Sequence, residues 1–113
     1  MISNNILKNL EFNENKPNIT VLFESSFSKE IRILLKENQI MKEHKTPFPI
    51  VVEVFDGNID FGVNGEIHTL NKGDILTLEG NIPHDLKANE NSIIRLTLSK
   101  QDTINRVKGV LKL

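Results

Sequence analysis

The chain has 113 residues, of which 14 are basic and 15 are acidic, so its formal net charge is −1. This length fits one domain, and the evenly spread charge argues against binding to nucleic acid or to an acidic membrane surface. The absence of cysteine excludes disulfide bonds, thiolate metal ligands and a cysteine nucleophile.

Residues 1–17 form a polar segment that is rich in asparagine and lysine. We expect an N-terminal arm that docks loosely on the domain or pairs with another subunit. The segment lacks the apolar core of a signal peptide, and with the lack of cysteine this favours a cytoplasmic location. No apolar run approaches the roughly 20 residues that a membrane-spanning helix needs.

Residues 18–100 are predicted to form the folded domain, because short apolar segments alternate there with turn residues. The predicted strands cover residues 19–23, 31–35, 50–55, 59–63, 67–70, 75–78 and 93–98. No helical pattern of about 10–15 residues separates these strands, which argues against parallel β-α-β units. The pattern therefore predicts an all-β fold of antiparallel strands, in a barrel or a sandwich.

Asn64 and Gly65 are the clearest turn signal, because both tolerate the positive φ of a two-residue type I′ hairpin. This turn would pair Val63 with Glu66, Phe61 with His68, and Ile59 with Leu70. Cross-strand partners share one side of a sheet. We therefore expect His68 to lie on the core-facing side, among Ile59, Phe61, Val63 and Leu70.

Residues 101–113 are predicted to form either a short C-terminal helix or an irregular tail. Ile104, Val107 and Leu111 recur at helical spacing, whereas Gly109 weakens a helix.

Two segments carry a family resemblance: EHKTPFPIVVEVFDG at residues 43–57 and GDILTLEGNIPH at residues 73–84. In this order and at this separation, they resemble the two motifs of the cupin superfamily. The resemblance implies a small single-domain cupin with a jelly-roll barrel, also called a double-stranded β-helix. Metal-binding members hold one ion with two histidines and a glutamate of the first motif and a histidine of the second.

The residue-by-residue match to this metal motif is partial. His44 and His84 occupy the first and the last histidine positions, whereas Thr46 stands at the second histidine and Ile50 at the glutamate. The resemblance implies a divalent metal (Zn, Ni, Fe or Cu) at His44 and His84, and the hairpin register makes His68 the candidate third ligand. Because two imidazoles make an incomplete site, histidines bonded to each other, to backbone or to water are the alternative.

The predicted pocket is mostly apolar and suits a small molecule with one polar or anionic group. Its candidate ligand-binding residues are His44, Thr46, Ile50, Phe61, His68, His84 and Leu86. A small-molecule-binding module without catalysis is the first functional hypothesis. The second is a metal-dependent enzyme, similar to a dioxygenase or an isomerase, with a reduced ligand set. Whether the protein is an enzyme is left open by the sequence.

A homodimer is the third hypothesis, with a structural or partner-binding role. Val51, Phe55 and Leu34 are predicted to point outward. This is more apolar side chains than a solvent-exposed face needs, which favours an interface with a second chain.

Overall fold

The computed structural model describes residues 1–100, in which every regular element is a β-strand. The nine strands are β1 (Asn18–Glu24), β2 (Ser28–Leu35), β3 (Ile40–His44), β4 (Ile50–Asp56), β5 (Asn58–Val63), β6 (Glu66–Asn71), β7 (Ile75–Leu78), β8 (His84–Ala88) and β9 (Ser92–Ser99). Within this part of the chain, no helix has the length and apolarity to cross a membrane. The helix predicted for the tail falls on residues 101–113, outside the described residues.

Two antiparallel sheets face each other. The larger sheet has the order β1-β2-β9-β4-β7, and the smaller has the order β3-β8-β5-β6. Apolar side chains from alternate positions of both sheets fill the space between them. The buried core consists of Ile31, Ile33, Leu35, Ile50, Val52, Val54, Ile59, Phe61, Leu86, Ala88 and Ile94. The all-β prediction is therefore confirmed.

The seven predicted strands are all present, and β3 and β8 are additional to them. Four of the five residues of β3 are exposed, so this strand lacks the alternation that marks a half-buried strand. Strand β8 does alternate, with His84, Leu86 and Ala88 buried. Its apolar run is short because Asp85 and Lys87 interrupt it.

The Asn64–Gly65 hairpin forms in the predicted register. Asn64 and Gly65 have φ values of 53° and 76°, as a type I′ turn requires. Val63 pairs with Glu66, and Phe61 pairs with His68.

The N-terminal arm crosses the outer face of the larger sheet. Arg32, which points away from the core, donates hydrogen bonds to the carbonyl oxygens of Ile6, Lys8 and Asn9. Leu34 lies two positions further along the same face and has no exposed surface. Leu34 therefore points outward as predicted, but the single chain already covers it, so it offers no surface to a second chain.

An ionic network occupies the outer face beside the arm. Arg95 donates from Nε to Glu53 at 2.7 Å and from Nη1 to Glu30 at 2.9 Å. Glu53 therefore points outward, as its alternation with Val52 and Val54 predicts. Arg95 lies on this outer face as well.

Candidate functional site

Two of the three histidines meet at one end of the space between the sheets. His44 ends β3 and His84 begins β8, and the two are direct partners in the antiparallel ladder. Their ring centroids are 4.5 Å apart, and the ring planes meet at 61° in an edge-to-face contact. His84 is 5% exposed, whereas His44 is open to solvent. Strand pairing thus brings together two imidazoles that are far apart in the chain.

Backbone carbonyls hold both imidazole rings in the same way. Nδ1 of His44 is 2.7 Å from the carbonyl oxygen of Lys42, and Nδ1 of His84 is 2.9 Å from that of Ile82. A carbonyl only accepts hydrogen bonds, so each Nδ1 carries the hydrogen, and Nε2 of the neutral ring keeps its lone pair. Phe61 stacks on His84 with centroids 5.7 Å apart and planes at 17°. Both rings are therefore oriented with Nε2 available to accept a hydrogen bond or to bind a metal ion.

The cavity beside the two histidines is small. Its volume is about 20 Å³, which is enough for one water-sized species. Its lining residues are Ile33, Met41, His44, Val52, Phe61, His84, Leu86, Ile94 and Leu96. The core side chains fill the rest of the barrel interior, so a small organic molecule does not fit beside the histidines in this conformation.

A larger cavity lies at the same end of the barrel, further toward solvent. Its volume is about 370 Å³, within the range of small-molecule sites. It is lined by Glu24, Lys29, Thr46, Pro47, Phe48, Ile50, Leu98, Ser99 and Lys100. Ile50 pairs with Leu98 in the ladder, and the next inward pair is Val52 with Leu96. That next pair lines the cavity beside the histidines, which we call the inner cavity. The two cavities are therefore consecutive along the barrel, and we call the larger one the mouth.

The β3–β4 loop forms one wall of the mouth, and the β7–β8 loop packs against it. The amide of Asn81 donates to the carbonyl of Thr46 at 2.7 Å, which joins the β7–β8 loop to the β3–β4 loop. A Cβ at Gly80 would lie 2.3 Å from the carbonyl oxygen of Pro47, far inside van der Waals contact. Only glycine permits this approach of the two backbones, so Gly80 fixes the position of the loop that precedes His84.

Charged groups surround an apolar floor at the mouth. Lys100 donates from Nζ to Glu24 and to the carbonyl of Ser25, both at 2.6 Å. The hydrogen bond and the charge of Lys100 lower the pKa of the Glu24 carboxyl, with a smaller contribution from the charge of Lys29. Phe48, Ile50 and Leu98 supply apolar surface below this rim.

The predicted ligand-binding residues are thus divided between two cavities. His44, Phe61, His84 and Leu86 surround the inner cavity, and Thr46 and Ile50 line the mouth. The Thr46 hydroxyl donates to the carbonyl of Phe48 at 3.0 Å, so its oxygen is left as an acceptor.

His68 lies apart from both cavities. Its pairing with Phe61 is as predicted, but the prediction that it lies among core residues is wrong. The side chain is 50% exposed, and its Nε2 is 3.6 Å from a Glu66 carboxylate oxygen. Strand β6 is the edge of the smaller sheet, so its inward-facing side is only partly covered by the opposite sheet.

Several lining residues of the two cavities were not predicted. Met41 enters the inner cavity because it pairs with Leu86, and the polar sequence of β3 gave no sign of this. Leu96 and Leu98 follow the inward alternation of β9. That alternation was a usable signal in the sequence.

No family model and no curated protein matches the chain, but solved structures do. An RmlC-like cupin protein from Desulfovibrio desulfuricans is 20% identical with a TM-score of 0.81, over 88% of this chain and 96% of that chain. The protein TT1209 from Thermus thermophilus is 17% identical with a TM-score of 0.79, over 88% and 98% of the two chains. A cupin 2 conserved barrel domain protein from Leptotrichia buccalis is 27% identical with a TM-score of 0.73, over 80% of this chain and 44% of that chain.

This chain has the cupin fold. The resemblance in residues 43–57 and 73–84 is thereby confirmed at the level of fold. What the domain binds has to be argued from its own residues, because identities this low show the architecture alone.

The donors at the cupin metal position make an incomplete set. The Nδ1–carbonyl bonds of His44 and His84 match the way in which metal-binding histidines are usually held. However, residues 1–100 contain no group of three histidine, cysteine, aspartate or glutamate side chains that could hold a metal ion. Ile50, at the glutamate position of the family motif, is buried and apolar. The described residues therefore do not fit a closed metal site.

Proposed function

We propose that this cupin domain binds a small molecule at the mouth, with its apolar part on Phe48, Ile50 and Leu98. The observation that carries the proposal is the cavity of about 370 Å³ at the barrel end where His44 and His84 meet. The inner cavity, at about 20 Å³, takes only a single small group. The proposed ligand therefore lies mainly in the mouth and directs at most one polar atom toward the histidines.

The charges at the mouth favour a ligand with an anionic group. Lys29 and Lys100 outnumber Glu24 among the lining residues. The Thr46 oxygen and the two Nε2 atoms add acceptors for a hydroxyl or amide hydrogen. A short aliphatic carboxylate combines the two features that this surface recognises, an apolar chain and a negative charge.

Hexanoate is a suitable probe, with hexanol as the uncharged control. We expect hexanoate to shift the NMR signals of Phe48, Ile50 and Leu98 in a saturable way. Lys29→Gln should weaken hexanoate binding and leave hexanol binding unchanged, because it removes a charge at the rim. Lys87→Gln, on the exposed outer side of β8, is the matched charge control and should change neither. Absence of saturable shifts at these three residues with both probes would refute binding at the mouth.

A metal ion bound by His44 and His84 is the second candidate. The free Nε2 atoms favour it, and the missing third donor weakens it. In such a site the two imidazoles would hold the ion. The hypothesis of a metal-dependent enzyme depends on this candidate metal site.

A zinc titration followed by calorimetry separates these two candidates. If the pair binds the ion, His44→Ala and His84→Ala should each abolish the heat of binding. His68→Ala is the matched control and should retain it, since His68 lies on the edge strand. Zinc binding that is lost equally in all three variants, or absent from the unmodified chain, would exclude the metal candidate.

The homodimer remains a prediction. Val21 and Ile19 support it, because they are 50% and 56% exposed on the edge strand β1. Unpaired edge strands with apolar side chains commonly bind another chain. Sedimentation at micromolar concentration should show a dimer, and a monomer alone would exclude an interface of standard size.

A further inference from the structure

A third cavity lies outside the barrel, between the N-terminal arm and the outer face of the larger sheet. Its volume is about 340 Å³. It is lined by Asn4, Lys8, Asn9, Glu11, Asn18, Thr20, Leu22 and Arg32. Thr20 and Arg32 are cross-strand partners in β1 and β2, and their side chains point away from the core. The larger sheet therefore separates this cavity from the histidines and the mouth.

Arg32 is the unusual residue of this cavity. Its side chain is 4% exposed. Nη1 donates to the carbonyls of Ile6 at 3.0 Å and Lys8 at 2.6 Å, and Nη2 donates to that of Asn9 at 3.1 Å. Nε has no hydrogen-bond partner among the described residues. A guanidinium has five N–H groups, so two of them, at Nε and Nη2, have no acceptor within residues 1–100.

Arg32 also has no ion pair of its own among the described residues, since Glu30 and Glu53 of the neighbouring network pair with Arg95. All three of its acceptors are neutral carbonyls, and within residues 1–100 no carboxylate lies at ion-pair distance from it. A buried donor without an acceptor is costly, and a buried charge without a counter-charge is more so. With Lys8 present, the cations that line the cavity outnumber its one carboxylate, Glu11.

We propose that this cavity binds a small oxyanion, the carboxylate or phosphate group of a polar molecule, through Arg32. Adjacent N–H groups of a guanidinium match two oxygens of such a group and bind them bidentately. Nε is buried, so an anion reaches it only when the residues around it shift. Asn4, Asn9 and Thr20 supply polar surface for the rest of the ligand.

The Nε–H signal of arginine in a ¹⁵N–¹H NMR spectrum reports directly on this contact. The full chain has three arginines, and Arg95, whose Nε already donates to Glu53, is the internal control. Inorganic phosphate and acetate are the probes, with chloride at equal ionic strength as the blank. We expect phosphate or acetate to move the Arg32 Nε–H signal downfield in a saturable way, together with amide signals of residues 4–11. The Arg95 signal should stay in place.

Two charge variants on the arm test where the anion binds. Lys8→Gln and Glu11→Gln change only side chains, so the backbone carbonyls of the arm remain. Lys8→Gln should raise the phosphate dissociation constant about two- to fivefold, and Glu11→Gln should lower it by a similar factor. A stationary Arg32 signal would overturn the proposal, as would an equal response to chloride, or two variants that change the affinity in the same direction. The hexanoate experiment probes the other side of the sheet, so the two proposals can fail independently.

Discussion

Replacing Gly80 by alanine should loosen the wall of the mouth. The new Cβ would lie 2.3 Å from the carbonyl oxygen and 2.9 Å from the carbonyl carbon of Pro47, and 3.2 Å from the Cα of Phe48. All three neighbours are backbone atoms, so no side-chain rotation relieves the clash. The β3–β4 loop has to move away, and the hydrogen bond from Asn81 to Thr46 is lost or stretched.

The expected loss of stability for Gly80→Ala is about 2 kcal/mol. Overpacking of this kind costs about 1–3 kcal/mol, and the loss of one hydrogen bond costs about 1 kcal/mol. Alanine has less conformational entropy than glycine in the unfolded chain, which offsets about 0.4–1 kcal/mol of the lost stability. With a urea m-value of about 1–3 kcal/mol/M for a small domain, the unfolding midpoint should fall by about 1 M.

Urea unfolding followed by circular dichroism measures this loss, because the chain has no tryptophan or tyrosine to follow by fluorescence. Gly62→Ala is the matched control. There the new Cβ meets the Asp85 carboxylate oxygen at 2.4 Å, and a flexible side chain can turn away, so the change should stay within about 0.5 kcal/mol. Equal losses in the two variants would refute the backbone-contact explanation of Gly80. Hexanoate binding should weaken in Gly80→Ala only.

Three further predictions concern other parts of the fold. Leu34→Ala should destabilise the chain by about 2–5 kcal/mol, because Leu34 is fully buried; a loss below about 1 kcal/mol in urea unfolding would contradict this burial. Hydrogen bonds from Asn89 first, and then from Thr69, lower the pKa of Asp60. Its folded pKa lies below the unfolded one, so its contribution to stability is present above the unfolded pKa and is lost as the pH falls through the folded pKa. Asn89→Ala should raise the Asp60 pKa in an NMR titration, and the stability that is lost at low pH should become smaller. An unchanged Asp60 pKa would contradict the role of the Asn89 hydrogen bond. Asn64→Val should destabilise the β5–β6 hairpin by about 1–2 kcal/mol, because a β-branched residue is strained at positive φ; unchanged unfolding would argue against the type I′ turn.

The parts of the site that were predictable depend on neighbours close in the chain. The β5–β6 register follows from Asn64 and Gly65 alone, since a two-residue turn leaves no freedom in the pairing. Alternation along β4 and β9 gives their inward residues. The convergence of His44 and His84 came from the resemblance to cupins, because nothing local joins two residues that far apart.

The amino-acid sequence by itself determined the all-β class, the hairpin register and the outward direction of Glu53, all of which follow from turn chemistry and the two-residue period of a strand. The tertiary structure alone decided that His68 is exposed, that Leu34 is buried on the outer face, and that the ligand-sized cavity is at the mouth instead of beside the histidines. The physical reason is that burial and cavity volume depend on which distant strands lie opposite each other, and on how fully their side chains fill the space between. The local sequence pattern determines neither burial nor cavity volume.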